Sequence, residues 1–113
     1  MRKLMATFEP FSVIAAPFPY VERPVTKRRP CLVIGQPEDA GLVWVLMITS
    51  AKNRPWAGDI EISDLDAAGL KSPSVVRTAK ISTVEADVIK MIGRLDAESI
   101  KAVGKMLKRH QGW

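Results

Sequence analysis

The chain has 113 residues, 47% hydrophobic and 26% charged, with 17 Lys and Arg against 12 Asp and Glu for a formal net charge of +5. That length bounds one modest core, and that balance excludes wholesale disorder. The basic excess favours an anionic partner such as RNA, DNA or an acidic polypeptide, although many small domains carry such a charge for solubility alone. The one cysteine, Cys31, lies in an apolar run, so it reads as a small buried hydrophobe and fits a reducing cytoplasm. The basic start is followed by no signal-type apolar stretch, and the longest apolar run, 42–48, falls far short of the ~20 residues of a membrane span. One domain over 1–113, cytoplasmic and without membrane contact, is the expectation.

In chain order, residues 11–16 read as a first short strand, which Pro17 and Pro19 should end because proline removes a ladder donor. Residues 20–29 then form a basic loop with Arg23, Lys27, Arg28 and Arg29 against the single acid Glu22. Loops of that length without structure of their own are often functional. A second strand is expected over 30–34, turn chemistry over 35–41, and a third strand over 42–49. The unbroken apolar run of that third strand calls for burial on both faces, by barrel closure, a helix or a second subunit. A second polar loop, 50–58, carries Lys52 and Arg54 beside Trp56. Residues 59–62 alternate as a half-exposed strand, and 63–69 read as one helical turn capped by Ser63 and stopped by Gly69. Short extended segments at 74–77 and 80–83 and a last strand at 88–95 follow. Residues 96–111 form the one clear helix, with Asp96 as N-cap and Ile100, Val103, Met106, Leu107 and His110 on one apolar face. Five or more short strands and one terminal helix predict a mainly β protein built on a small, strongly bent sheet or barrel.

The chemistry concentrates between Pro17 and Ser50. Arg29 opens one strand and Thr49 closes the next, so antiparallel pairing would bring them to the same rim. A guanidinium fork and a short hydroxyl donor suit a phosphate. Were the partner a nucleic acid, Lys27 and Arg28 would be the backbone-contact candidates, and Trp56 could stack on a base. Each also has an ordinary reading: Arg29 as an exposed loop residue or paired with an acid in 59–66, Thr49 as a strand-end residue, Trp56 folded over a core edge, and the loop cations as merely solvated. With a single histidine, no cluster at metal-ligand spacing and no Gly-rich phosphate loop, a two-histidine ribonuclease, a Ser-His-Asp triad and a metal centre are not expected. No cofactor is expected either.

Four pieces in order resemble the PemK/MazF-type toxins of type II toxin–antitoxin modules: PFPYVERPVTKRRPCLVIG at 17–35, Thr49-Ser50, PSVVRTAKISTVE at 73–85, and IGRLDAE at 92–98. The resemblance implies an SH3-like barrel of the CcdB/MazF type with a C-terminal helix, usually a homodimer. It also implies a sequence-selective, metal-independent endoribonuclease that cuts single-stranded RNA through 2′-OH attack, leaving a cyclic phosphate and a 5′-OH. Carried over by motif, Arg29, Thr49 and Arg77 are the catalytic candidates; Arg23, Lys27, Arg28, Ser50, Lys52, Arg54 and Trp56 are the RNA-binding ones. The implied partner is an antitoxin whose acidic-hydrophobic tail occupies the basic groove. Two departures stand out: Ala79 replaces the Asp that follows the V-V-R arginine in some members, and Phe11-Ser12 replaces a Gly-Asp at the head of strand one. Alternatives are a non-enzymatic CcdB-like gyrase-binding toxin acting through its C-terminal end, Gln111-Gly112-Trp113, and an SH3-like nucleic-acid or protein binding module.

Overall fold

A computed structural model describes residues 7–19, 26–37 and 41–110. Its elements are β1 (Ser12–Pro19), β2 (Thr26–Gly35), β3 (Leu42–Ser50), β4 (Asp59–Glu61), α1 (Leu65–Ala68), β5 (Ser74–Glu85), a 3₁₀ turn (Ala86–Val88), β6 (Lys90–Arg94) and α2 (Ala97–His110). The strands form one six-stranded sheet in the order β4-β5-β3-β2-β1-β6, with every neighbouring pair antiparallel. The protein is therefore mainly β with a C-terminal helix, and the sheet is an open one, with β4 and β6 at its two edges.

The register slips at three places: Val13/Ile14 against β6, Val33/Gly35 against β3, and Leu46/Met47 against β5. Extra residues in one strand bend it and raise its twist, which lets a single sheet bury both faces. On one face Val13, Leu32, Leu46, Ile48 and Val76 pack with Ala68 of α1 and Val103 of α2. On the other, Ile14, Cys31, Val33 and Val45 pack with Val84 and Ala86. β3 feeds both clusters, as its unbroken apolar run requires. Its exception is Trp44, 46% exposed. The indole occupies the space a side chain at Gly35 would need, since a Cβ there would lie 2.9 Å from the ring.

Several boundaries differ from the sequence reading. β1 runs through Pro17 and Pro19 because its pairing with β6 ends at Ala15 and only β2 stays beside it, so the missing N–H groups interrupt at most one ladder. β2 begins at Thr26, which places Lys27, Arg28 and Arg29 in a strand and not in a loop. The two segments expected at 74–77 and 80–83 are one strand, β5, kinked where its partner jumps from Ile81 to Arg77. The expected strand at 88–95 is shorter, β6, and is entered through the 3₁₀ turn.

Asp64, not Ser63, caps α1, accepting from the Ala67 N–H at 3.0 Å. Gly69 ends that helix in the left-handed region at φ 74, as expected of it. Asp96 takes the Ser99 N–H at 3.0 Å and the Ser99 hydroxyl at 2.8 Å at the start of α2, and the Asp64 N–H at 3.2 Å. Partial burial pushes its carboxyl pKa up, but those donated hydrogen bonds outweigh it and hold the pKa below its ordinary 3.8. Residues 20–25 and 111–113, with Arg23 and Trp113, lie outside the described residues.

Candidate functional site

Arg29 and Thr49 are brought together by strand register. Cys31 faces Met47 across β2 and β3, and the same register carried two residues further brings Arg29 to the level of Thr49. Side chains alternate along a strand, so Arg29, Cys31, Met47 and Thr49 share one face. Both Arg29 and Thr49 line a cavity of about 280 Å³ at the sheet's rim. Pro30, Ile48 and Leu70 supply apolar wall, and Ser50, Asn53, Lys71, Ser72 and Ser74 supply polar groups. Among the described residues, two cations and four hydroxyls line it, and none of the lining residues is acidic. Such a lining is complementary to a phosphate and hostile to a carboxylate-rich base mechanism.

The hydroxyls are not equivalent. The Asn53 amide donates to Thr49 Oγ1, which leaves the Thr49 proton to point elsewhere. The Ser74 hydroxyl spends its proton on the Ser72 carbonyl at 2.9 Å, and Ser50 Oγ accepts from the Lys52 N–H at 3.2 Å. The turn that carries Asn53 is closed by its own N–H to the Ser50 carbonyl at 3.0 Å. Behind the cavity, Cys31 is fully buried, and burial pushes its thiol up to about 12 against an opposing pull from Arg29.

Arg77 stands apart from this cavity. Its Nε and Nη2 donate to the two oxygens of Asp59 at 3.2 and 3.1 Å, and Nη2 also reaches the Arg54 carbonyl at 2.9 Å. The guanidinium carbon lies 4.4 Å from the centre of the Trp56 ring. The acid of the 59–66 stretch that finds an arginine is thus Asp59, and its partner is Arg77. Ala79 is exposed on the kinked part of β5, and the carboxylate beside Arg77 comes from β4.

Among the expected RNA contacts, Ser50 lines the cavity, and Lys52, Arg54 and Trp56 are exposed on the loop beside it. Arg28 does not line it; its Nη1 donates to the carbonyls of Val88 at 3.2 Å and Ala15 at 3.5 Å. Arg23 and the side chain of Lys27 lie outside what is described. Sequence reasoning missed Asn53, Lys71, Ser72 and Ser74. Asn53 sat four residues past Thr49 in a loop already marked as polar; Lys71 and Ser72 had no signal, because only the return of the chain from α1 into β5 brings them to this rim.

The chain matches the family model described as the PemK-like, MazF-like toxin of type II toxin–antitoxin systems over residues 9–110. Comparison with curated protein sequences gives no match. Among solved structures it is similar to the Mycobacterium tuberculosis toxin MazF-mt6, with TM-score 0.65 and 23% identity over 92% of this chain and 97% of the other. It is also similar to a mycobacterial endoribonuclease solved with its cognate antitoxin, TM-score 0.72 and 14% identity over 94% and 96%. MazF from Deinococcus radiodurans gives TM-score 0.70 and 16% identity over 98% and 100%. At these identities the structural likeness establishes the fold alone.

Proposed function

Because the chain belongs to the PemK/MazF-like toxin family of type II toxin–antitoxin systems, we propose that it is a sequence-selective endoribonuclease that cleaves single-stranded RNA in the cytoplasm without a metal ion. One observation carries the reading: Arg29 and Thr49 line one cavity together with Lys71, and none of its described lining residues is acidic.

RNA brings its own nucleophile. The 2′-OH attacks the adjacent phosphorus, its proton passes to water, and the bond to the 5′ oxygen breaks; that oxygen takes a proton from water. The products are a 2′,3′-cyclic phosphate and a 5′-OH. Charge builds on the non-bridging oxygens in the transition state, where preorganised donors count most. In this reading the Arg29 fork and the Thr49 hydroxyl supply those donors, and Lys71 adds charge without a fixed geometry. Strand pairing holds the Arg29 backbone at the cavity. Arg77, whose fork Asp59 already occupies, contributes to substrate contact through Trp56. Three neighbouring structures are complexes, one of an endoribonuclease with its cognate antitoxin and two of MazE with MazF. By extension, the rim that carries Arg29 and Lys71 is the docking place for an antitoxin's acidic-hydrophobic tail, and the toxin acts as a homodimer.

The test is incubation with a long unstructured RNA in EDTA, beside Arg29→Ala and Thr49→Ala. Discrete fragments with 5′-OH ends, lost in both variants, are expected. Intact RNA with the wild-type protein would overturn the ribonuclease and favour a toxin that acts by binding alone.

A further inference from the structure

The loop between β3 and β4 ends in a construction that the phosphate chemistry does not use. Trp56 belongs to neither core cluster and is 43% exposed. An indole of that size is usually folded over a core edge. Here one ring face is covered by the Arg77 guanidinium, and the loop around it is tied down on two sides. On one side, the Trp56 N–H donates to Asp59 Oδ2 at 2.9 Å and the Asp59 N–H donates back to the Trp56 carbonyl at 3.1 Å. The same carboxylate takes both arms of the Arg77 fork.

On the other side stands Gly58, at φ 89, a conformation that favours glycine; a Cβ there would come within 2.7 Å of Thr78 Oγ1. The buried Thr78 hydroxyl donates to the Gly58 carbonyl at 2.7 Å, and it meets His110 Nε2 at 2.9 Å. A hydroxyl has one proton to give. Since Gly58 takes it, His110 must donate through Nε2. The last residue of α2 therefore reaches, through Thr78, the loop that presents Trp56.

We propose that the Trp56–Arg77 stack is a seat for one unpaired base of the RNA, and that Thr78 and His110 are its positioning residues. The proposal rests on the ribonuclease reading for its choice of occupant. Planar, polarisable and half-open, the ring suits a base, and the exposed cations Lys52 and Arg54 on the same loop suit its flanking phosphates. The rigid support matters because stacking on a pre-ordered ring does not have to order the loop first.

The experiment follows Trp56 fluorescence in a protein carrying Trp44→Phe and Trp113→Phe. The probes are five-residue 2′-O-methyl homopolymers of U, C, A and G, which lack the nucleophile and cannot be cut. Saturable quenching by at least one of them is expected, weakened about tenfold to a hundredfold in Trp56→Ala read by competition. His110→Phe should weaken binding about tenfold, on the scale of one lost stacking contact, and His110→Gln, which keeps a donor, should restore it. In cleavage assays the same loss should appear in KM with kcat unchanged, which a merely structural defect would not produce. Should His110→Phe not fold, Thr78→Val against Thr78→Ser asks the same question. Quenching by none of the four probes overturns the seat, and equal affinities in wild type, His110→Phe and Thr78→Val overturn the latch. Quenching without any cleavage of natural RNA would instead sink the ribonuclease reading and leave the seat standing.

Discussion

At the scale of single residues, chemistry and backbone strain meet around β2. Cys31 is fully buried, its Sγ 3.7 Å from the Arg29 carbonyl. Burial holds the thiol protonated in the fold up to about 12, against 9.0 ordinarily. The contribution to stability is therefore complete below pH 9.0 and is lost as pH rises towards about 12. Between pH 8 and 10.5 the wild-type protein should lose about 2 kcal/mol more, by urea unfolding, than Cys31→Val, at 1.36 kcal/mol per pH unit. Equal losses would show that the thiol is not desolvated. Arg29 and Thr49 were legible as a pair, because their places at a strand start and the next strand's end leave antiparallel pairing one outcome. The Arg77–Asp59 pair was not, since two side chains 18 residues apart meet only once β4 lies against β5. Phe11 lies between these cases. The resemblance marks its position as one where related chains carry glycine, and in the fold it is the one described non-glycine residue at positive φ, 70°. Its N–H to the Val33 carbonyl at 2.7 Å and its packing on the core hold it there.

At the scale of elements, Asp96 has two tasks. It caps α2 through Ser99 and receives the Asp64 N–H from the segment that caps α1. Asp96→Ala should cost about 1–2 kcal/mol in urea unfolding at neutral pH, the upper part of the range for a lost N-cap. Its lowered carboxyl pKa gives the sign on the acid side: the contribution is present above pH 3.8 and is lost as pH falls through the lower folded-state value. The destabilisation seen in Asp96→Ala should therefore shrink in acid; a gap that stays constant would show that the carboxylate charge plays no part. Helix α2 was read well because capping and apolar periodicity are local. Strand ends were read less well. Pro17 and Pro19 end a strand only where both neighbours need their N–H groups, and whether β6 extends that far is a property of the sheet.

For the whole molecule, folding gathers cations from distant segments. Arg29 and Lys71, from β2 and from the segment after α1, converge on one cavity whose described lining holds no acid. Single-stranded nucleic acids release counterions with a slope of about 0.7 per neutralised phosphate. The log–log salt dependence for an uncleavable RNA should thus flatten by about 0.7 in Lys71→Gln, measured by filter binding; an unchanged slope would remove Lys71 from the interface. No helix of the described chain is long and apolar enough to cross a membrane. From sequence alone came the mainly β class, the terminal helix, the two-sided burial of β3 and the pairing of Arg29 with Thr49, because turn chemistry, capping and hydrophobic runs act between near neighbours. Tertiary structure alone decided that the sheet stays open, that Asp59 occupies Arg77, that Lys71 and Ser72 reach the cavity, and that His110 reaches Gly58 through Thr78. These contacts join segments far apart in the chain. Strand order and the places where the register slips fix them, and those depend on how the entire sheet bends.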